Sequence, residues 1–263
     1  MAALAAVAVL AAGCSAASST GASGTPQQAV AAAARQAAQI SSATAVLSEQ
    51  VGSSGGESIS GSVTEQIKPS LLMSMRLSIG SGGGVSENLD GIINTKSMYL
   101  HSSAFSQQTG KPWLEIPFSV LGGGSSSLAQ LFKSLSKINP AQQTAVLGGA
   151  RNVREVGTAV IGGVQTTHYT GTISPTNGLA ALPPALRKTL APELKSISGH
   201  ITFSLWIDGQ HQIRKVTESE SVSGQQVVTT IVFSAINQPV HVSLPPASQV
   251  AVIPASVLSG GTD

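Results

Sequence analysis

The chain has 263 residues, 10% charged and 3% aromatic, with a formal net charge of +2 and a single cysteine. No run of Lys or Arg supplies the footprint that nucleic acid requires, and none makes a polybasic patch for an anionic membrane surface. One cysteine excludes an internal disulfide, and it excludes thiolate zinc or iron–sulfur centres, which need several such ligands.

Met1 to Gly13 is an uncharged apolar run that closes in Ala11-Ala12-Gly13, directly before Cys14. A secretory apolar region is roughly 7–15 residues followed by small residues at the cleavage point. This one fits, and it falls short of the roughly 20 residues that span a bilayer. Ala11 to Cys14 resembles the bacterial lipobox, with the preferred leucine one place early at Leu10. No Lys or Arg precedes the run, so a start upstream of Met1 is expected. Residues 1–13 are therefore read as a lipoprotein signal, and Cys14 as the residue whose thiol takes a diacylglycerol after cleavage.

Residues 14–25, built from Ser, Ala, Gly and Thr, read as a flexible lipid-anchored linker. Thr25-Pro26-Gln27-Gln28 then combines an N-cap, a proline at the first helical position and a capping-box glutamine. The helix carries an apolar stripe of Val30, Ala33, Ala34, Ala37 and Ile40. After it the period changes to 2. Thr44 to Val51, Ser58 to Lys68 and Leu71 to Ile79 are successive strands broken by Gly52 to Gly56 and Pro69-Ser70. In the third, Leu71, Met73, Met75, Leu77 and Ile79 share one face while Arg76 points the other way, as a sheet covered on one side requires.

Asn88 to Asn94, Ser97 to Ser102 and Trp113 to Ile116 continue the meander. A second helical stripe, Leu128, Leu131, Phe132, Leu135 and Ile138, and a short helix over Ala141 to Leu147 follow. Strands resume at Asn152 to Ile161 and Val164 to Ile173, joined by Gly162-Gly163. A helical segment over Leu182 to Ile197 leads to strands His200 to Ile207, His211 to Ser219 and Gln226 to Ile236. A last strand, Val240 to Leu244, runs into Pro245-Pro246, leaving residues 26–246 as the domain and 247–263 as a poorly ordered tail. About ten antiparallel strands with grouped helices make an α+β fold, one strongly curved sheet with helices on one side.

Catalytic motifs lack their context. Gly52 to Gly56 matches G-x-S-x-G but lies in a turn between amphipathic strands, and Ser134 to Lys137 matches S-x-x-K without the companion motifs. His101, His168, His200, His211 and His241 form no zinc-hydrolase spacing, although His200 and His211 flank one hairpin. Glu218 and Glu220, on one strand face near Lys215, read as solvated surface.

The mature chain resembles the actinobacterial lipoproteins of the LppX/LprG type, whose fold is like that of the carriers LolA and LolB. The resemblance rests on Cys14 with its spacer; Met98-Tyr99-Leu100 with Lys111-Pro112-Trp113; Val156-Gly157-Thr158 with Gly163 to Tyr169; and Leu205-Trp206-Ile207-Asp208 leading to Ile213-Arg214-Lys215. Phe233, Ile236, Pro239-Val240 and Pro245 add to it. It implies a half-open antiparallel β-barrel whose concave side, covered by helices, encloses an apolar cavity for acyl chains. Met73, Met75 and Leu77 on one strand face, with Phe203 and Leu205 on a second face of period 2, are the expected lining. The expectation is a monomeric, non-enzymatic lipoprotein on the extracytoplasmic face of the cell membrane, without cofactor or metal. Its ligand would be a lipid or glycolipid, carried or sensed. The alternative is a surface adaptor with a packed interior that binds an envelope protein.

Overall fold

The structure, a computed structural model, describes residues 24–52, 56–80, 86–101, 103–118, 144–182 and 184–252. Cys14, the expected helix around Leu128 to Ile138 and the Ser134 to Lys137 motif lie outside the described residues.

The first helix, α1 (Pro26–Ala37), starts as its sequence dictates: the Thr25 hydroxyl accepts from the Gln28 amide, and the Gln28 side chain accepts from the Thr25 amide. Its Val30, Ala33, Ala34 and Ala37 are buried. Strands β1 (Ser42–Val51), β2 (Ser58–Gln66), β3 (Leu72–Gly80), β4 (Ser86–Asn94), β5 (Ser97–His101) and β6 (Trp113–Pro117) follow, with the short helix α2 (Ser103–Thr109) before β6. A 3-10 turn at Thr144–Gly149 leads to β7 (Arg151–Ile161) and β8 (Val164–Ile173). Helices α3 (Pro175–Ala181) and α4 (Pro184–Ser196) come next, then β9 (Ile197–Asp208), β10 (Ile213–Val222), β11 (Gln225–Ser234) and β12 (Val250–Val252).

The twelve strands among the described residues join one sheet in the order β12-β6-β5-β4-β3-β2-β1-β11-β10-β9-β8-β7. The β1–β11 pairing, Thr44 opposite Ser234 through Val51 opposite Val227, welds the two meanders together. The order ends at β12 and β7, which do not pair with each other, so the sheet stays open. Every pair is antiparallel except β12 with β6, which makes the sheet mixed rather than purely antiparallel.

Several local expectations need correction. Residues 103–109 form a helix that the alternation did not reveal. The helix expected over Ala141 to Leu147 is, among the described residues, the 3-10 turn Thr144–Gly149. The helix expected over Leu182 to Ile197 is present as α4, and a further helix, α3, precedes it, opening at Ser174-Pro175, where the Ser174 hydroxyl accepts from the Asn177 amide. That is the same cap-plus-proline signal that opens α1. Val240 to Leu244 forms no strand, because Pro239 and Pro245 bracket it and neither can donate to a ladder. The strand lies further on, at Val250–Val252.

Alternation splits the sheet into two faces. The inner face holds two buried apolar clusters. The first joins α1, α3 and α4 to β1 and β8–β11, and includes Leu147, Tyr169, Phe203, Leu205, Val216 and Phe233. The second lies on β2–β6 and is built from Val63, Met73, Met75, Leu77, Leu89, Ile93, Met98, Leu100, Leu114 and Ile116. Leu47 packs against both.

Candidate functional site

The five side chains expected to line a cavity are all turned to the inner face and buried: Met73, Met75 and Leu77 in the second cluster, Phe203 and Leu205 in the first. Register connects the two groups. Leu77 is opposite Gly61, Gly61 opposite Leu47, Leu47 opposite Ile231, Ile231 opposite Val216, and Val216 opposite Leu205. One row of the sheet thus runs from β3 to β9 with an apolar side chain at every step but Gly61. A Cβ at Gly61 would run into the Arg76 carbonyl of the neighbouring strand, so no side chain fits at that close approach. Met75 lies similarly across Gly91, whose added Cβ would come within 2.9 Å of the Met75 side chain.

Leu205 is fully buried between Tyr169 and Val216 in the register. Leu205→Trp therefore overfills the first cluster. The expected loss is about 1–3 kcal/mol, read from the midpoint of a urea unfolding curve at unchanged slope.

The charge that β1–β4 and β8–β11 place on this face is of one sign among the described residues. Alternation from the register sets Glu49, Glu65, Glu87, Glu218 and Glu220 on it. The Lys, Arg and His side chains of β1–β4 and β8–β11 belong to the other phase, with Arg76, His168 and Lys215 opposite Asp90, Trp206 and again Trp206. Beneath α4 a hollow of about 120 Å³ is lined by Val146, Leu190, Leu194 and Ile201 on its apolar side and by Glu49, Glu218 and Glu220 on the other. Burial, and then the neighbouring Glu220, push the Glu218 carboxyl up to about 7. The reading of Glu218 and Glu220 as solvated surface is corrected: their strand phase turns them under the helices. Glu65 is 1% exposed, neither of its carboxyl oxygens has a hydrogen-bond partner, and burial pushes it up to about 7. Sequence reasoning missed these acids because a carboxylate reads as surface: Glu65 shares its phase with Ile59, Gly61 and Val63, a signal that could have found it.

The outer face is polar and carries part of the motifs on which the family resemblance rests, while Met98, Leu100, Tyr169, Leu205 and Phe233 of the same motifs are buried on the inner face. Trp206 stacks on His168 with ring centroids 4.2 Å apart, and the Lys215 ammonium stands 4.6 Å from the Trp206 ring. Burial, then Lys215, holds the His168 imidazole below its ordinary value. Asp208 pairs with Arg214 at 2.7 Å and accepts from the Gln210 and Gln212 amides, closing the β9–β10 turn. Ser97 and Tyr99 donate to Glu115 across β5 and β6. These motifs hold strands together. His200 and His211, which flank one hairpin in sequence, stand near opposite ends of β9, about 25 Å apart along an extended strand. Two grooves indent this face, one of about 540 Å³ along Thr170, Thr172, Thr202, Ser204 and Thr217, and one of about 390 Å³ near Ser62, Ser74, Arg76 and Asp90.

Among solved structures, LprF from Mycobacterium bovis aligns over 84% of this chain and 96% of its own, with a TM-score of 0.52 and 17% identity. The chain has the fold of LprF. LppX from Mycobacterium tuberculosis aligns over 82% of this chain and 99% of its own, at 20% identity and a TM-score of 0.48. A LolA superfamily protein from Nitrosomonas europaea aligns over 84% and 96%, at 9% identity and a TM-score of 0.28. No family model and no curated protein matches the sequence. The LprF-type architecture agrees with the α+β fold and the unclosed sheet that the resemblance implied. Among the described residues, helices α1, α3 and α4 pack on the β1 and β8–β11 part of the inner face.

Proposed function

We propose that this chain is a non-enzymatic lipoprotein of the LppX/LprG type, held at the extracytoplasmic face of the cell membrane by an acylated Cys14, that shelters the acyl chains of a lipid or glycolipid. The observation that carries this reading is the apolar row of the inner face that runs from Leu77 through Leu47, Ile231 and Val216 to Leu205, with Met73 and Met75 beside it on β3 and Phe203 on β9. Methionine side chains are flexible and polarizable, and they adapt to chains of differing shape. Each buried methylene contributes about 0.8 kcal/mol, so an acyl chain binds such a wall tightly without a polar constellation. The LprF-type fold supports the same reading. Native mass spectrometry and organic extraction of the full chain, purified from a lipid-containing host, test it. Bound lipid released on unfolding is the expected result. A lipid-free chain would favour the adaptor reading, for which the outer grooves of about 540 and 390 Å³ offer a docking face.

The anchor has its own test. Cys14→Ser removes the only thiol in the chain, and the variant is expected to leave the detergent phase of a detergent-partition assay for the aqueous phase or to remain unprocessed. Two lipid signals are usually needed for stable anchoring, and a diacylglycerol supplies both chains at one residue. Unchanged partition would remove the anchor from this reading.

A further inference from the structure

Glu65 has no structural use that explains its place. It is 1% exposed, stands between Ala43 and Met73 in the register, and so occupies the seam between the two apolar clusters. Both of its carboxyl oxygens lack partners. Buried polar groups in native proteins are nearly always satisfied, and an exception calls for an explanation such as a ligand. The other charges that the described strands place on that face are Glu49, Glu87, Glu218 and Glu220, so a negatively charged group brought there would meet carboxylates from the sheet.

We propose that Glu65 is the polar anchor of the interior, accepting a hydrogen bond from the hydroxyl or ammonium head of an amphiphile that bears no negative charge. The inference rests on the acyl-chain reading above and adds the class of head group to it. The apolar chain lies along the Met73 and Met75 wall next to Glu65, and the donor supplies the partner that the carboxyl lacks. An acidic interior then selects among amphiphiles of equal chain length by their heads alone.

The test uses the full chain, delipidated, at pH 8, with three probes of equal chain length: monopalmitoylglycerol, hexadecylamine and palmitate. The wild type is expected to bind the hydroxyl and ammonium probes at least about tenfold more tightly than the carboxylate, the scale of one charge-assisted hydrogen bond. Glu65→Leu is expected to bind all three within about threefold of one another, while folding at least as stably as the wild type. Glu65→Gln, which keeps an acceptor, should retain the preference for the glycerol head. Equal wild-type binding of all three probes overturns the assignment of Glu65 and leaves the acyl-chain reading standing. Failure of the wild type to bind any probe overturns both. A Glu65→Leu chain that does not fold also overturns the assignment, since it would show that the carboxyl has a structural partner.

Discussion

Met75→Asp is expected to abolish the cooperative fold, whereas Arg76→Glu, one residue along the same strand, changes stability by no more than about 1 kcal/mol. The contrast follows from strand phase. Met75 is 3% exposed, opposite Val63 on one side and Gly91 on the other, while Arg76 is exposed and opposite Asp90. Aspartate at position 75 would leave an uncompensated charge among apolar side chains, a cost of about 3–5 kcal/mol. The void left by the longer methionine adds to it. Domains of this kind hold only about 5–15 kcal/mol in total. Circular dichroism and urea titration of the two variants read the difference directly. Equal effects would mean that the strand faces the other way.

The second large effect is on pH dependence. Burial raises Glu65 from 4.5 to about 7, and burial with Glu220 raises Glu218 likewise. A carboxyl whose value is raised on folding binds its proton more tightly in the native state. The stability it allows is therefore complete below about pH 4.5 and is lost as pH rises through about 7. For Glu65 the loss amounts to roughly 3 kcal/mol. The wild type should accordingly unfold at lower urea at pH 8 than at pH 5. Glu65→Leu should remove a large part of that slope, leaving the part due to Glu218, and should exceed the wild type in stability at pH 8. A wild-type stability that rises between pH 5 and pH 8 would contradict the burial of both carboxyls.

Glu65→Leu thus links stability to binding: the same substitution is expected to strengthen the fold and weaken head-group selection. Sites that break a local rule without a structural gain are where function is commonly found.

What the sequence by itself determined was local. The Thr25-Pro26-Gln28 cap placed the start of α1 because its hydrogen bonds close within four residues. Strict alternation from Leu71 to Ile79 placed Met73, Met75 and Leu77 on one face because the side-chain period of a strand is 2. Glycine-bearing turns at Gly162-Gly163 and Ser223-Gly224 marked two hairpins because both residues of each turn sit at positive φ. The tertiary structure alone decided which strand phases are inward where the pattern is polar. In Ser58–Gln66 and Ile213–Val222 the serines and threonines keep to one phase, but the other mixes Ile59 and Val63 with Glu65, and Val216 and Val222 with Glu218 and Glu220, so neither phase is cleanly apolar. Pairing with Met73 and with Phe203 shows that Glu65 and Glu218 turn inside. The joining of β1 to β11 was equally hidden: those partners lie far apart along the chain, and contacts of that range leave no local trace. The acidic interior arises from that long-range register, because burial depends on what the opposite strand and the covering helices bring to a residue, and its neighbours in sequence do not record that.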